Sequence, residues 1–333
     1  MSSPKPKSES KPKIVMLDSR TSNSGDLSWE PFKELGAFIH YPHTNAQQVL
    51  AHCRDADIVL TNKVVLNAET IAQLPKLKYI GVMATGHNVV DLDAAHRRGI
   101  VVTNVPAYST NSVAQMVYAL LLHHTQQVAL HDQMVHAGKW DASEDFSFCA
   151  APLLELAGKT LGIVGFGNIG RKVAAIGKQF GLHILVYTRD PQRYAELSSG
   201  ESGFAAVDFK TLLRGSDIVS LHCPLNAQTE KLINPHSLSH MRQDAILINT
   251  GRGGLLDEEA VATALEQKRL GALLADVLST EPPAPDNPLL HAPNCVITPH
   301  IGWATCAARQ RLLDTVCANV RAYQEGEKMN VVV

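Results

Sequence analysis

Three short segments carry side chains able to do acid–base chemistry beside a bound anion. They read Asn249-Thr250-Gly251-Arg252-Gly253-Gly254, Asp276-Val-Leu-Ser-Thr-Glu281-Pro-Pro and Thr298-Pro-His300-Ile-Gly302-Trp303. The planar fork of an arginine can hold a carboxylate and polarise a neighbouring carbonyl. A histidine can give or take a proton near neutral pH, and a nearby carboxylate favours its charged form. Arg252, Glu281 and His300 are thus a complete set: anion holder, charge partner and proton donor. Taken singly, each also fits an ordinary turn or packed loop. His222, in Leu221-His222-Cys223-Pro224, is a rival acid–base group, but its own segment offers it no carboxylate.

A fourth segment addresses a different ligand. Gly165-Phe-Gly167-Asn168-Ile169-Gly170 follows an apolar run and opens a helical stretch. In the G-x-G-x-x-G pattern the first glycine permits a tight turn. The second lets the backbone approach a pyrophosphate, and the third lets helix and strand pack closely. The helix start near Asn168 adds unpaired N–H groups and a positive dipole end. With strand, turn, helix and second strand in the right order, the pattern predicts a dinucleotide site. Behind such a fingerprint, the Arg/Glu/His set meets the demands of hydride transfer at C2 of a small 2-keto or 2-hydroxy acid. At the end of the next apolar run stand Thr188, Arg189 and Asp190. A carboxylate at the strand end binds the ribose 2′-hydroxyl of NAD, whereas Thr188 with Arg189 would admit a 2′-phosphate. The reading is NADP or NAD, leaning to NADP. A one-residue shift would restore Asp190 as an acidic partner, and Arg189 and Asp190 also fit as solvated turn charges.

Placing these segments together requires strands that end at one crevice. Apolar runs rich in β-branched residues alternate with amphipathic stretches almost throughout, which predicts an α/β fold. Strands are expected over 13–17, 57–60, 79–83 and 100–103, with helices over 46–53, 69–74 and 92–98. A long helix is expected over 111–137, with Val113, Met116, Val117, Leu120 and Leu121 at helical spacing. Six further strands are expected over 161–164, 184–187, 218–221, 245–249, 272–275 and 295–298, forming a doubly wound parallel sheet. A last helix over 304–324 cannot extend that sheet and is expected to return to the first domain. The fold class is therefore two Rossmann-like doubly wound parallel-sheet domains, with the substrate domain discontinuous. Its boundaries are a disordered tail over 1–12, a first substrate-domain segment over 13–107, a dinucleotide domain over 108–303, and a returning helix over 304–333. A small substrate would be enclosed between the two.

Composition narrows the partners. With 333 residues there is ample chain for two cores, and 5% aromatic content leaves those cores to Val, Ile, Leu and Ala. A net charge of -2 offers nothing to nucleic acid or an anionic membrane, and no apolar run reaches spanning length. The Lys-, Ser- and Pro-rich start resembles neither a secretory signal nor a transit peptide. Six scattered cysteines lack any C-x-x-C or zinc spacing, which predicts free thiols, no metal and a cytoplasmic location.

These motifs resemble the D-isomer-specific 2-hydroxyacid dehydrogenase family over nearly the whole chain from about Lys13. Gly-Phe-Gly-Asn-Ile-Gly is similar to its cofactor loop, and the three segments above to those carrying its Arg, Glu and His. Ala84-Thr85-Gly86, ahead of Asn88-Val-Val-Asp91, resembles the loop whose amides hold the substrate carboxylate, with Thr85 also near the cofactor. The resemblance further implies that Cys223, Pro224, Thr250, Gly251, Asp276 and Gly302 border the cofactor. It also implies a homodimer through the 111–137 helix. The stretch Trp140–Cys149 and the segment after His300 look like the glycerate dehydrogenase (hydroxypyruvate reductase) branch. Thr188 departs from the Asp of many members and Gln115 from a common Glu, while Glu281 argues against formate dehydrogenases. An end at Val333 leaves no room for the regulatory domain of many phosphoglycerate dehydrogenases. The C-terminal binding protein corepressors share this fold and the Arg/Glu/His set, so a dinucleotide-sensing interaction protein is the alternative.

Overall fold

A computed structural model of the chain describes residues 11–194 and 203–333. The tail expected over 1–12 lies, for its first ten residues, outside the described residues. Strands made of continuous apolar runs are buried along their length, as parallel strands covered by helices must be. The chain divides into two units, one running to Ser109 and including Ala304–Val333, the other Thr110–Trp303.

The first unit holds β1 (Lys13–Met16), β2 (Ala37–His40), β3 (Ile58–Thr61), β4 (Tyr79–Val82) and β5 (Val101–Thr103). All pair in parallel in the order β2-β1-β3-β4-β5. One face packs Val15, Val59, Ile80 and Val102 into a single core. The final helix, Cys306–Gln324, belongs to this unit. Its Tyr323 ring lies 4.8 Å from that of Tyr79, and Arg309 holds Asp26 through both guanidinium nitrogens at 2.7 and 2.6 Å.

The second unit holds β6 (Thr160–Val164), β7 (His183–Tyr187), β8 (Phe204–Ala206), β9 (Ile218–Leu221), β10 (Ile246–Asn249), β11 (Ala272–Ala275) and β12 (Cys295–Ile297). Their order is β12-β11-β10-β9-β6-β7-β8, all parallel where paired. Alternate residues serve opposite faces: Leu247 joins Leu213 and Leu265 on one side, while Ile246 and Ile248 join Val117 and Leu121 on the other. The order reverses between β6 and β9, and the crevice at such a switch point is where a doubly wound sheet binds ligands.

Three expectations are corrected. Among the described residues, the first sheet has five strands rather than four and the second seven rather than six, because β2 and β8 escaped the pattern. Both are edge strands, short and largely unburied, so neither needs a continuous apolar run. The single helix over 111–137 is two, Thr110–Gln126 and Val128–His136, parted at Gln127, which takes a left-handed φ of 50°. No glycine or proline marks that break. The second of these helices buries none of its residues.

Candidate active site

The nucleotide loop is built as its glycines demand. Gly165 sits just past β6 at φ 94°, and a Cβ there would lie 2.7 Å from the backbone of His222 and Cys223. The loops after β6 and β9 therefore touch at the switch point. A Cβ on Gly170 would meet the Gly165 carbonyl oxygen at 2.1 Å, so only glycine lets the helix Asn168–Gln179 approach the strand this closely. Among the described residues, nothing lies within 4 Å of a Cβ position at Gly167, the helix N-cap, and no side chain caps the first turn. The leading N–H groups of a helix have no partner within it. Asn168 is exposed, while Ile169 packs back on the core. A cavity of about 390 Å³ opens here, lined by Gly167, Asn168, Arg171, Arg193 and Tyr194. Across the crevice end of the sheet, the buried Thr250 hydroxyl has no hydrogen-bond partner among the described residues. A glycine cradle at a helix start, two cations and an orphaned hydroxyl fit the pyrophosphate and sugars of a dinucleotide.

Two of the three acid–base side chains meet directly. His300 Nδ1 lies 2.6 Å from Glu281 Oε2, and Glu281 Oε1 accepts the Leu278 N–H at 3.1 Å. The carboxylate keeps a proton on Nδ1, which leaves Nε2 as the nitrogen that exchanges one. His300 itself takes φ 54°, a conformation costing a non-glycine residue on the order of 1 kcal/mol. Buried Asp276 secures that backbone. Its Oδ1 accepts the Thr298 hydroxyl at 2.6 Å and the Ile301 N–H at 2.9 Å, and its Oδ2 accepts the Gly302 N–H at 2.7 Å. Asp276, assigned by resemblance to the cofactor's border, thus also anchors the loop that carries the histidine.

Arg252 reaches the same end of the sheet from β10. Its Nη1 donates to the Gly251 carbonyl at 2.7 Å. Asn249 shapes this turn, donating to the Arg252 carbonyl at 2.9 Å and accepting the Gly251 N–H at 3.1 Å. Immediately after the arginine, a Cβ on Gly253 would fall 1.9 Å from the Leu278 carbonyl carbon. Arg252 and Glu281 are therefore joined through touching backbones. Sequence reasoning quoted Asn249 and Gly253 without seeing either role; the glycine following the arginine was the available signal.

The rival His222 is placed otherwise. Its Nε2 lies 2.8 Å from the Ser220 hydroxyl, and desolvation pushes the imidazole down to about 3. That shift favours its neutral form over the imidazolium. Cys223 beside it is half-buried, its thiol raised by burial, and Pro224 is exposed. Thr188 follows β7 half-buried, with Arg189 exposed next to it. In the other unit Ala84 is buried and Thr85 exposed. Thr85 donates to the Val105 carbonyl at 2.8 Å and accepts from Asn104 Nδ2 at 2.8 Å, with Gly86 half-buried after it. Arg171 and Arg193, in the cavity, were not anticipated.

A parallel sheet with a glycine cradle, and an imidazole–carboxylate pair with an arginine at later strand ends, defines a nicotinamide-dependent oxidoreductase. Residues 118–302 match the family described as D-isomer specific 2-hydroxyacid dehydrogenase, NAD binding domain. The hydroxypyruvate reductase of Blautia hydrogenotrophica is 41% identical over 323 residues, 96% of this chain and 99% of that one. The glycerate dehydrogenase of Methylorubrum extorquens is 36% identical over 323 residues, 96% of this chain and 98% of its own. Among solved structures, the NADPH-dependent glyoxylate/hydroxypyruvate reductase of Sinorhizobium meliloti, in complex with NADP and malonate, has a TM-score of 0.81. It is 29% identical and covers 97% of each chain. The chain belongs to the D-isomer-specific 2-hydroxyacid dehydrogenase family, and its cofactor is a nicotinamide dinucleotide. These relatives are enzymes, and the corepressor-like reading is not favoured. Among the described residues, no helix is long and apolar enough to cross a membrane.

Proposed function

We propose that this protein reduces hydroxypyruvate, and glyoxylate beside it, to the corresponding 2-hydroxy acid. The 2.6 Å contact between His300 and Glu281 carries the reading, since it builds a proton donor at the strand ends of the sheet that also carries the glycine cradle. The bound nicotinamide supplies the hydride that adds to C2. His300 gives its Nε2 proton to the oxygen on C2 and reclaims one in the reverse direction. Glu281 holds the ring and stabilises its charge. Arg252 pairs with the substrate carboxylate and polarises the adjacent carbonyl, and the amides of Ala84, Thr85 and Gly86 take the rest of that carboxylate.

Gly165, Gly167, Asn168, Ile169 and Gly170 are assigned to the pyrophosphate, with Thr85, Cys223, Pro224, Thr250, Gly251, Asp276, His300 and Gly302 bordering the rest. NADP is the preferred form. Thr188, in place of a carboxylate directly after β7, with Arg189 beside it and Arg171 and Arg193 in the cavity, supports that preference. A homodimer through 111–137 is supported by a helix, Val128–His136, that buries no side chain, and by Trp140, Phe146 and Leu153 exposed after it. Six free thiols suit a cytoplasmic location.

A panel of 2-keto acids assayed with NADH and NADPH tests the reading. Hydroxypyruvate with NADPH should give the highest kcat/KM. A larger keto acid in first place would overturn the substrate assignment, and a preference for NADH the cofactor assignment.

A further inference from the structure

The loop that presents Glu281 is held from outside the Arg/Glu/His set. Glu258 is the first residue of the helix Glu258–Glu266, whose N-cap is already satisfied by the Asp257 side chain accepting the Ala260 N–H. The Glu258 carboxylate is therefore released from capping and turns to the loop after β11. Its Oε1 accepts the Ser279 N–H at 2.7 Å, and its Oε2 accepts the Ser279 hydroxyl at 2.7 Å and the Asn287 side-chain N–H at 2.8 Å. Ser279 and Asn287 flank Glu281 on either side, so one carboxylate ties both shoulders of its loop to a rigid helix. Asn287 is fixed in turn, because its Oδ1 accepts the Leu289 N–H at 3.0 Å. Three donors on one carboxylate are charge-assisted bonds, stronger than neutral ones.

We propose that Glu258 is a positioning residue for the reaction: it sets Glu281 against His300 without touching substrate or cofactor. This rests on the roles given above to His300 and Glu281. The charged groups brought to the histidine's loop are Glu281, bonded to the ring, and Asp276, bonded to the Ile301 and Gly302 amides. Arg252 follows on β10, and Glu258 stands behind the Glu281 loop. Replacing Glu258 removes the restraint on the Glu281 loop while leaving the bonds from Asp276 in place.

The test is the pH profile of keto-acid reduction by the full chain with saturating dinucleotide. Reduction consumes a proton and a carboxylate beside a histidine favours its charged form, so the alkaline limb reports how Glu281 is placed against the ring. Glu258→Ala should lower kcat/KM roughly tenfold and move the alkaline limb to lower pH, with dinucleotide affinity unchanged by fluorescence titration. Ser279→Ala, which removes one hydroxyl donor, should shift the limb the same way by less and keeps the test open if Glu258→Ala folds poorly. In a Glu281→Gln background, Glu258→Ala should add no further shift. An unmoved limb in both single variants, or an additive shift in the double variant, overturns the proposal. His300→Ala assayed in parallel separates the two levels, since retained turnover there would overturn the underlying roles instead.

Discussion

Two histidines stand at strand ends of the same sheet, in opposite surroundings. His222 follows β9, bonds the hydroxyl of Ser220 two residues before it, and is desolvated until its imidazole titrates at about 3. His300 follows β12 and finds a carboxylate at 2.6 Å, nineteen residues back in the chain, on a loop from the neighbouring strand. One ring is a neutral packing piece beside the glycine turn. The other, the proton carrier of the proposed reaction, has a strained backbone pinned by Asp276. A strand-end address does not make a histidine an acid; a charge partner delivered by tertiary folding does.

The comparison breaks most sharply under substitution of the rings themselves. His300→Ala should lower kcat on the order of 10³-fold with dinucleotide affinity intact, read by steady-state kinetics and fluorescence titration. His222→Gln should leave the pH limbs of turnover where they are. The reverse pattern would exchange the two roles.

A smaller effect is expected where the pair is supported at a distance. Gly253→Ala puts a Cβ 1.9 Å from the Leu278 carbonyl carbon, so the Arg252 and Glu281 loops must part. A loss of about 10²-fold in kcat/KM should follow, with a lowered Tm, since displacements near 1 Å are enough for such losses. An unchanged kcat/KM would show that the two loops act independently.

The least effect is thermodynamic and belongs to His222. Burial holds its folded titration at about 3, below the ordinary 6.5, so protonation favours the unfolded chain. Its contribution to stability is complete above about pH 6.5 and is lost as pH falls towards 3, by at most about 1.4 kcal/mol per pH unit. Urea unfolding across that window should show a shallower acid slope for His222→Gln than for the parent protein. Equal slopes would mean that the ring is hydrated in the folded state.

Much of this was legible in the residues. Buried parallel strands announce themselves as apolar runs, and β3, β4, β9, β10 and β11 were found within a residue of their ends. The glycines of the nucleotide loop declared a backbone approach that a Cβ forbids, and Gly165 and Gly170 make such approaches. Edge strands β2 and β8 lacked the signal because one partner and partial burial require no continuous apolar run. The break at Gln127 lacked it because a glutamine in the left-handed region leaves no mark in composition.

Local patterns, then, determined the family and the sheet type and nominated Arg252, Glu281 and His300 for the proposed site, because periodicity and glycine sterics act over a few residues. Which histidine gains a carboxylate depended on tertiary structure. So did the seating of Asp276 beneath the 298–302 loop and the bonds of Glu258 to both shoulders of the Glu281 loop. Those contacts join residues 19 to 29 positions apart, and only the packing of neighbouring strands and their loops sets such distances.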